Sequence, residues 1–211
     1  MTASTPKANQ QAPDLDALSA YLTPSNAENS RRIPPLDQWH PKSVATMDMC
    51  IRANGEWWHE GRKIQRPALV SLFATILGTE TNESGESVYY LKTPVQKLYI
   101  SVEDAPLLIN DVGVVIEDGI QWLEFTSSTE DVFRLDDAHP LTLRARDDGE
   151  VRPYIRVRSA LDALIARSVF YHLIALGDLI ERDGQTVLLL DSGGARYEIS
   201  MPNEALNTPV S

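Results

Sequence analysis

At 211 residues the chain is long enough for one large domain, or two small ones, with a real core. Its 30 acidic against 19 basic residues give a net charge of −11, whose field repels phosphate polymers and anionic bilayers and so argues against nucleic acid as a partner. A single cysteine, Cys50, excludes an intramolecular disulfide framework, the four scattered histidines have no metal-ligand spacing, and neither a secretory signal nor a bilayer-spanning apolar run is present, so a cytoplasmic protein without membrane insertion is expected.

Residues 1–32 read as a disordered tail holding one short helix at about 14–22, which Asp14 caps and in which Leu15, Leu18 and Leu22 share a face. Ile33 to Pro41 is too rich in proline for helix or central strand, and its Leu36 and Trp39 are expected to pin an extended segment onto the body. Strands begin near Val44. Met49–Ala53 and Glu56–His59 flank Asn54-Gly55, which predicts a two-residue hairpin. A helix is expected to start about Pro67, with Leu69, Leu72, Phe73, Ile76 and Leu77 on one face and Gly78 as its stop. Thr79 to Ser87 reads as a polar loop, followed by strands Val88–Leu91 and Lys97–Val102.

The second half opens on strands Val112–Glu117 and Ile120–Thr126 around Asp118-Gly119, with a short strand at Val132–Leu135. Leu141–Arg146 and Val151–Arg158 form a hairpin whose faces stay consistent only if Leu141 lies opposite Ile155, Ala145 opposite Val151 and Arg144 opposite Arg152. A helix apolar nearly all round is then predicted from about Ala160 to Leu176, stopped by Gly177, with His172 as a core histidine. Strands Thr186–Leu190 and Arg196–Ser200 close the fold across Gly193-Gly194, and residues 204–211 are tail.

The chain repeats itself. Val88–Val102 aligns without gaps onto Val187–Met201, Ile64-Gln65-Arg66 matches Ile165-Ala166-Arg167, and Ile51-Arg52 matches Ile155-Arg156. The ordered blocks predict two related units, residues 33–104 and 105–203, each of mostly antiparallel strands around one helix: an α+β fold.

Four stretches also resemble one bacterial family of proteins, the domain-of-unknown-function family 1285. They are Ile33-Pro34-Pro35-Leu36 with Trp39, Gly55 to Arg66, Tyr154-Ile155-Arg156-Val157-Arg158, and Arg167-Ser168-Val169-Phe170-Tyr171. The resemblance covers about Arg32 to Asn203 and implies a duplicated unit whose second copy is similar to pleckstrin-homology-like folds. It also implies a nucleotide-like ligand near the junction of the halves and a signalling role. It supplies no catalytic residues.

Asp191-Ser192-Gly193-Gly194 has the composition of a serine-protease nucleophile segment, but Gly-Gly between two strands is first of all a hairpin turn. The sharpest feature is a face of cations. Alternation sets Ile155 and Val157 inward, so Arg152, Tyr154, Arg156 and Arg158 point outward together, joined by Arg144 from the partner strand, and Arg167 from the following helix is placed to reach the same groove. Like charges directly opposite one another destabilise a sheet, so a compensating anion is required. Two sources are open: the chain's own carboxylates, or a bound anionic small molecule, nucleotide-like in the family reading. The leading expectation is a non-enzymatic binding or sensor module with those six residues as its site. The alternatives are a hydrolase working in the same groove and a protein-interaction scaffold. Ligand identity, any cofactor and the oligomeric state are left open by the residues alone.

Overall fold

The computed structural model describes residues 33–146 and 149–201, and within them β-strand dominates. A 3-10 turn at Leu36–Gln38 leads into β1 (Ser43–Ile51), β2 (Trp57–His59) and β3 (Arg62–Lys63), followed by α1 (Pro67–Thr75), β4 (Leu77–Thr81), β5 (Ser87–Lys92) and β6 (Gln96–Val102). The second run comprises β7 (Leu107–Glu117), β8 (Ile120–Ser127), β9 (Val132–Arg134), β10 (Leu141–Ala145), β11 (Val151–Arg158) and β12 (Leu161–Ile165). It closes with α2 (Arg167–Leu176), β13 (Asp178–Arg182), β14 (Gln185–Ser192) and β15 (Ala195–Ser200). The expected helix at 14–22 and the tail at 204–211 lie outside the described residues.

Turn chemistry sets the strand pairing. Asp118-Gly119, Asp183-Gly184 and Gly193-Gly194 all take positive φ at both positions, the twist that suits a two-residue hairpin. Asn54-Gly55 does not fit that class. Only Gly55 is left-handed (φ +81°), and the Arg52 amide donates to the Glu56 carbonyl, so the loop is longer by a residue than the expected two.

Three sheets result. The first runs β3-β2-β1-β6-β5-β4, the second β10-β11-β12-β7-β8-β9, and the third β13-β14-β15. Neighbours are antiparallel except where β6 meets β1 and where β7 meets β12. A meander–helix–meander order occurs twice, β1-β2-β3/α1/β4-β5-β6 and β10-β11-β12/α2/β13-β14-β15, with the hairpins β5–β6 and β14–β15 in corresponding places. The copies close differently: β6 pairs with β1, whereas β15 carries no ladder to β10 and β12 pairs with β7 instead. One continuous apolar cluster joins both halves, from Met49, Phe73 and Leu98 through Ile109 and Phe125 to Ile155 and Leu190, with Leu36 and Trp39 packed on its margin.

Two helix expectations are corrected. The segment from Ala160 is not helical until Arg167. Ser159 adopts φ +46°, Arg158 pairs across the turn with Leu161, and Leu161, Ala163 and Ile165 are buried alternately, the period of a strand. The α2 that remains buries only Val169 and Leu173, and His172 is exposed rather than in the core. In the first half α1 ends at Thr75, Leu77 opens β4, and Gly78 sits inside that strand. A Cβ at Gly78 would stand 2.4 Å from the Tyr90 ring, so the glycine serves packing across the β4–β5 pair rather than stopping a helix.

Candidate functional site

The hairpin of β10 and β11 has the register its charge alternation requires, with Leu141 opposite Ile155, Arg144 opposite Arg152 and Ala145 opposite Val151. Ile155 and Val157 are buried beneath it, and the other face carries Arg152, Tyr154, Arg156 and Arg144; Arg158 departs from the expected alternation, because a register shift after Arg156 sets it opposite the buried Leu161. Because β12 is a strand, it places Asp162 directly opposite Arg156 on that same face. Asp162 receives both Arg144 and Arg156. Burial alone would raise its carboxyl, yet the bonds from Arg156 and Arg144 hold it below the ordinary carboxylate value.

The remaining cations are taken up as well. Asp104, in the segment between β6 and β7, is 6% exposed at its side chain and accepts Nη1 of Arg152 at 2.8 Å and Nη1 of Arg146 at 2.8 Å. The Tyr154 hydroxyl donates to its other oxygen at 2.6 Å. Burial first, and then Asp104, push the Tyr154 phenol up to about 12. Arg152 is also held by Glu150, and Arg158 pairs with Asp131 while its Nη2 donates to the Ala74 carbonyl at the end of α1. Burial pulls the Arg158 guanidinium below its usual value, and the Asp131 carboxylate opposes that. Across the junction stands Tyr89 of β5, whose phenol is pushed up by burial foremost and then by Asp162.

Arg167 is the exception among the six expected residues. At the start of α2 it is exposed, its Nε and Nη2 donate to the Tyr171 hydroxyl at 3.3 and 3.2 Å, and among the described residues it forms no ion pair with a carboxylate.

Two cavities flank this face. One, of about 480 Å³, is walled from the first half by Asp37, Leu77, Thr79, Tyr90 and Lys92 and from the second by Arg158, Ser159 and Leu161, so its charged lining is mixed, with one carboxylate beside two cations. Among the described residues Lys92 makes no ion pair within 4.0 Å. The other, of about 460 Å³, lies where β11 passes the start of α2 and is lined by Arg152, Arg167 and Tyr171 with Val151, Pro153, Leu164 and Phe170. Both volumes fall in the roughly 300–1,000 Å³ range of small-molecule sites.

Residues 34–105 match the model of the DUF1285 N-terminal domain, a domain of unknown function, and residues 106–199 match the DUF1285 C-terminal domain. The chain belongs to the DUF1285 family. A crystal structure of a DUF1285 family protein from Silicibacter pomeroyi DSS-3 superposes with a TM-score of 0.73 at 34% identity, over 94% of this chain and 100% of that one. A DUF1285 family protein from Shewanella baltica OS155 shares 26% identity over 61% of this chain and 91% of that one, with a TM-score of 0.44. No protein with a curated description matches. The boundary between the two DUF1285 domains falls just after Asp104, so the arginine face of the second domain is neutralised in part by a carboxylate of the first.

The serine segment is structural. Ser192 is buried, its Oγ donates to the Leu135 carbonyl at 2.8 Å and accepts the Leu123 amide at 3.1 Å. Gly193 continues the clamp by donating its amide to the Gln121 carbonyl at 2.8 Å, and a Cβ there would meet the Trp122 ring at 2.4 Å. A nucleophile needs a free hydroxyl beside a base, and this one is spent on two backbone groups. Among the described residues no group of three or more His, Cys, Asp or Glu is placed to hold a metal ion, and no helix is long and apolar enough to cross a membrane.

Proposed function

We propose that this DUF1285 protein is a binding module for a nucleotide-like anion seated at the junction of its two units. The observation that carries the reading is the 480 Å³ cavity with walls from both halves, in which the Lys92 ammonium forms no ion pair within 4.0 Å among the described residues and acts only at longer range on Glu80. Beside it stand the Ser159 hydroxyl, suited to a sugar, and the Tyr90 ring, suited to a base, while the Thr79 hydroxyl donates to the Val88 carbonyl and offers only its lone pairs. Arg158 lines the wall as one half of an ion pair with Asp131, its fork spent there and on the Ala74 carbonyl. A likeness of the second unit to pleckstrin-homology-like folds, and a sensing role in the cytoplasm, belong to the same reading.

Arg144, Arg152 and Arg156 are not its ligands. Their charge is answered by Asp104, Glu150 and Asp162, so they frame the junction rather than contact the anion. A ligand at 100 times its dissociation constant stabilises a fold by about 2.7 kcal/mol. Thermal unfolding with nucleoside mono- and diphosphates should therefore show a rise of about 5–11 °C for at least one of them, and Lys92→Gln should remove it. The scaffold reading retains one favourable observation, the exposed Val114 and Ile116 on β7, and it predicts no nucleotide response at all.

A further inference from the structure

The cavity beside α2 is a separate site, and the geometry points to a small amphiphilic carboxylate as its ligand: one anionic group on an apolar body. Glu150 and Arg152 both line this cavity, but they pair with each other, and Arg152 is further bound to Asp104. Among the described residues the wall is left with one cation that pairs with no carboxylate, Arg167. A single cation answers a single anionic group; a di- or triphosphate would leave charge uncompensated against Glu150.

The donors are arranged for a carboxylate. Arg167 spends one hydrogen of Nε and one of Nη2 on the Tyr171 hydroxyl, which keeps the second Nη2 hydrogen and both on Nη1 for a ligand. Tyr171 accepts in those contacts, so its own proton is free to donate. Guanidinium and phenol together thus offer a planar fork and a third donor to two carboxylate oxygens. Behind them the lining is apolar, supplied by Val151, Pro153, Leu164 and Phe170, and this is where a hydrocarbon or aromatic group is buried. The junction cavity has a different character, with Asp37, two hydroxyls, Tyr90, Lys92 and Arg158 in its wall, and shares no lining residue with this one.

Isothermal titration of the full chain with octanoate, octanol and octylamine, and with 1-naphthoate against 1-naphthol, tests the proposal. We expect saturable one-to-one binding of at least one carboxylate, and weaker or no binding of the alcohol and amine of the same body. Arg167→Gln should weaken the carboxylate at least about tenfold, as loss of a charge-assisted bond implies. Tyr171→Phe should weaken it by a smaller factor, and Lys92→Gln should leave it unchanged. Arg167 is exposed, so its variant should keep the wild-type unfolding midpoint. Equal affinity for carboxylate and alcohol, indifference to Arg167→Gln, or no binding of any carboxylate at millimolar concentration would overturn the assignment. Loss of carboxylate binding in Lys92→Gln would place the ligand in the junction cavity and overturn it equally.

Discussion

Replacing Asp104 by alanine is the most informative perturbation of the junction. Its carboxylate is 6% exposed and meets Arg146, Arg152 and the Tyr154 hydroxyl, so the substitution strands three donors at once. They are not equal. Arg146 is 33% exposed and rehydrates, so its share is small. Arg152 keeps Glu150 as a partner. The buried Tyr154 hydroxyl loses its acceptor, which costs about 1–3 kcal/mol, and the partly buried guanidinium adds roughly 1–2 kcal/mol. The sum is about 3 kcal/mol, or a fall of about 6–12 °C in Tm for a chain of this size. Asp104→Asn keeps an acceptor for Tyr154 and loses only the charge, so about half that loss is expected. Urea unfolding gives the answer as a lower midpoint at unchanged slope. Tyr154, pushed up to about 12 by burial and then by Asp104, should also ionise earlier in Asp104→Ala when its absorbance is followed with rising pH. A loss below about 1 kcal/mol, or no difference between the alanine and asparagine variants, would refute the view that Asp104 neutralises the face.

Arg158→Leu should cost about 3–5 kcal/mol by urea unfolding, because it leaves the buried Asp131 carboxylate without its cation and the Ala74 carbonyl without its donor; Arg144→Gln, at an exposed guanidinium, should cost under about 1 kcal/mol. Ser192→Ala should lose about 1–3 kcal/mol through the orphaned Leu123 amide and Leu135 carbonyl, and the wild-type serine should resist a fluorophosphonate label. Asp162 supplies a pH test. Its folded value lies below its unfolded one, so its contribution is present above the ordinary carboxylate value of about 3.9 and is lost as pH falls through the folded value. The stability difference between wild type and Asp162→Asn, measured by urea at a series of pH values, should therefore be full at pH 7 and shrink as pH falls below the ordinary carboxylate value of about 3.9.

The arginine hairpin was legible because charge and apolarity alternate strictly over β11, which leaves one register with both faces consistent. The next segment was not. Leu161, Leu164, Ile165, Val169 and Leu173 satisfy a helical spacing, and the turn at Ser159 uses a left-handed serine where a glycine or proline would have announced it. The internal repeat held the corrective: matching Ile64-Gln65-Arg66 to Ile165-Ala166-Arg167 sets Arg167 beside Arg66, and Arg66 and Ala166 cap the two helices. Reading β12 as helix also hid Asp162, whose place opposite Arg156 follows only from strand pairing. Asp104 had no local signal, since its partners Arg146, Arg152 and Tyr154 all lie on a hairpin far along the chain, the last two 48 and 50 residues away, and it is one of 30 acidic residues. Lys92 carries no local signal for a related reason: it ends a strand whose role appears only when the second unit's β11–β12 turn is set against it.

The central claim is that a small anion binds at the junction and that Lys92, not the arginine face, anchors it. Isothermal titration of adenosine, AMP and ADP into wild type, Lys92→Gln and Arg144→Gln measures this directly. The account predicts one-to-one binding of a phosphorylated member, at least about tenfold weaker in Lys92→Gln, nearly unchanged in Arg144→Gln, and little or none for adenosine. Binding lost in Arg144→Gln but kept in Lys92→Gln, or no heat from either nucleotide, would contradict it.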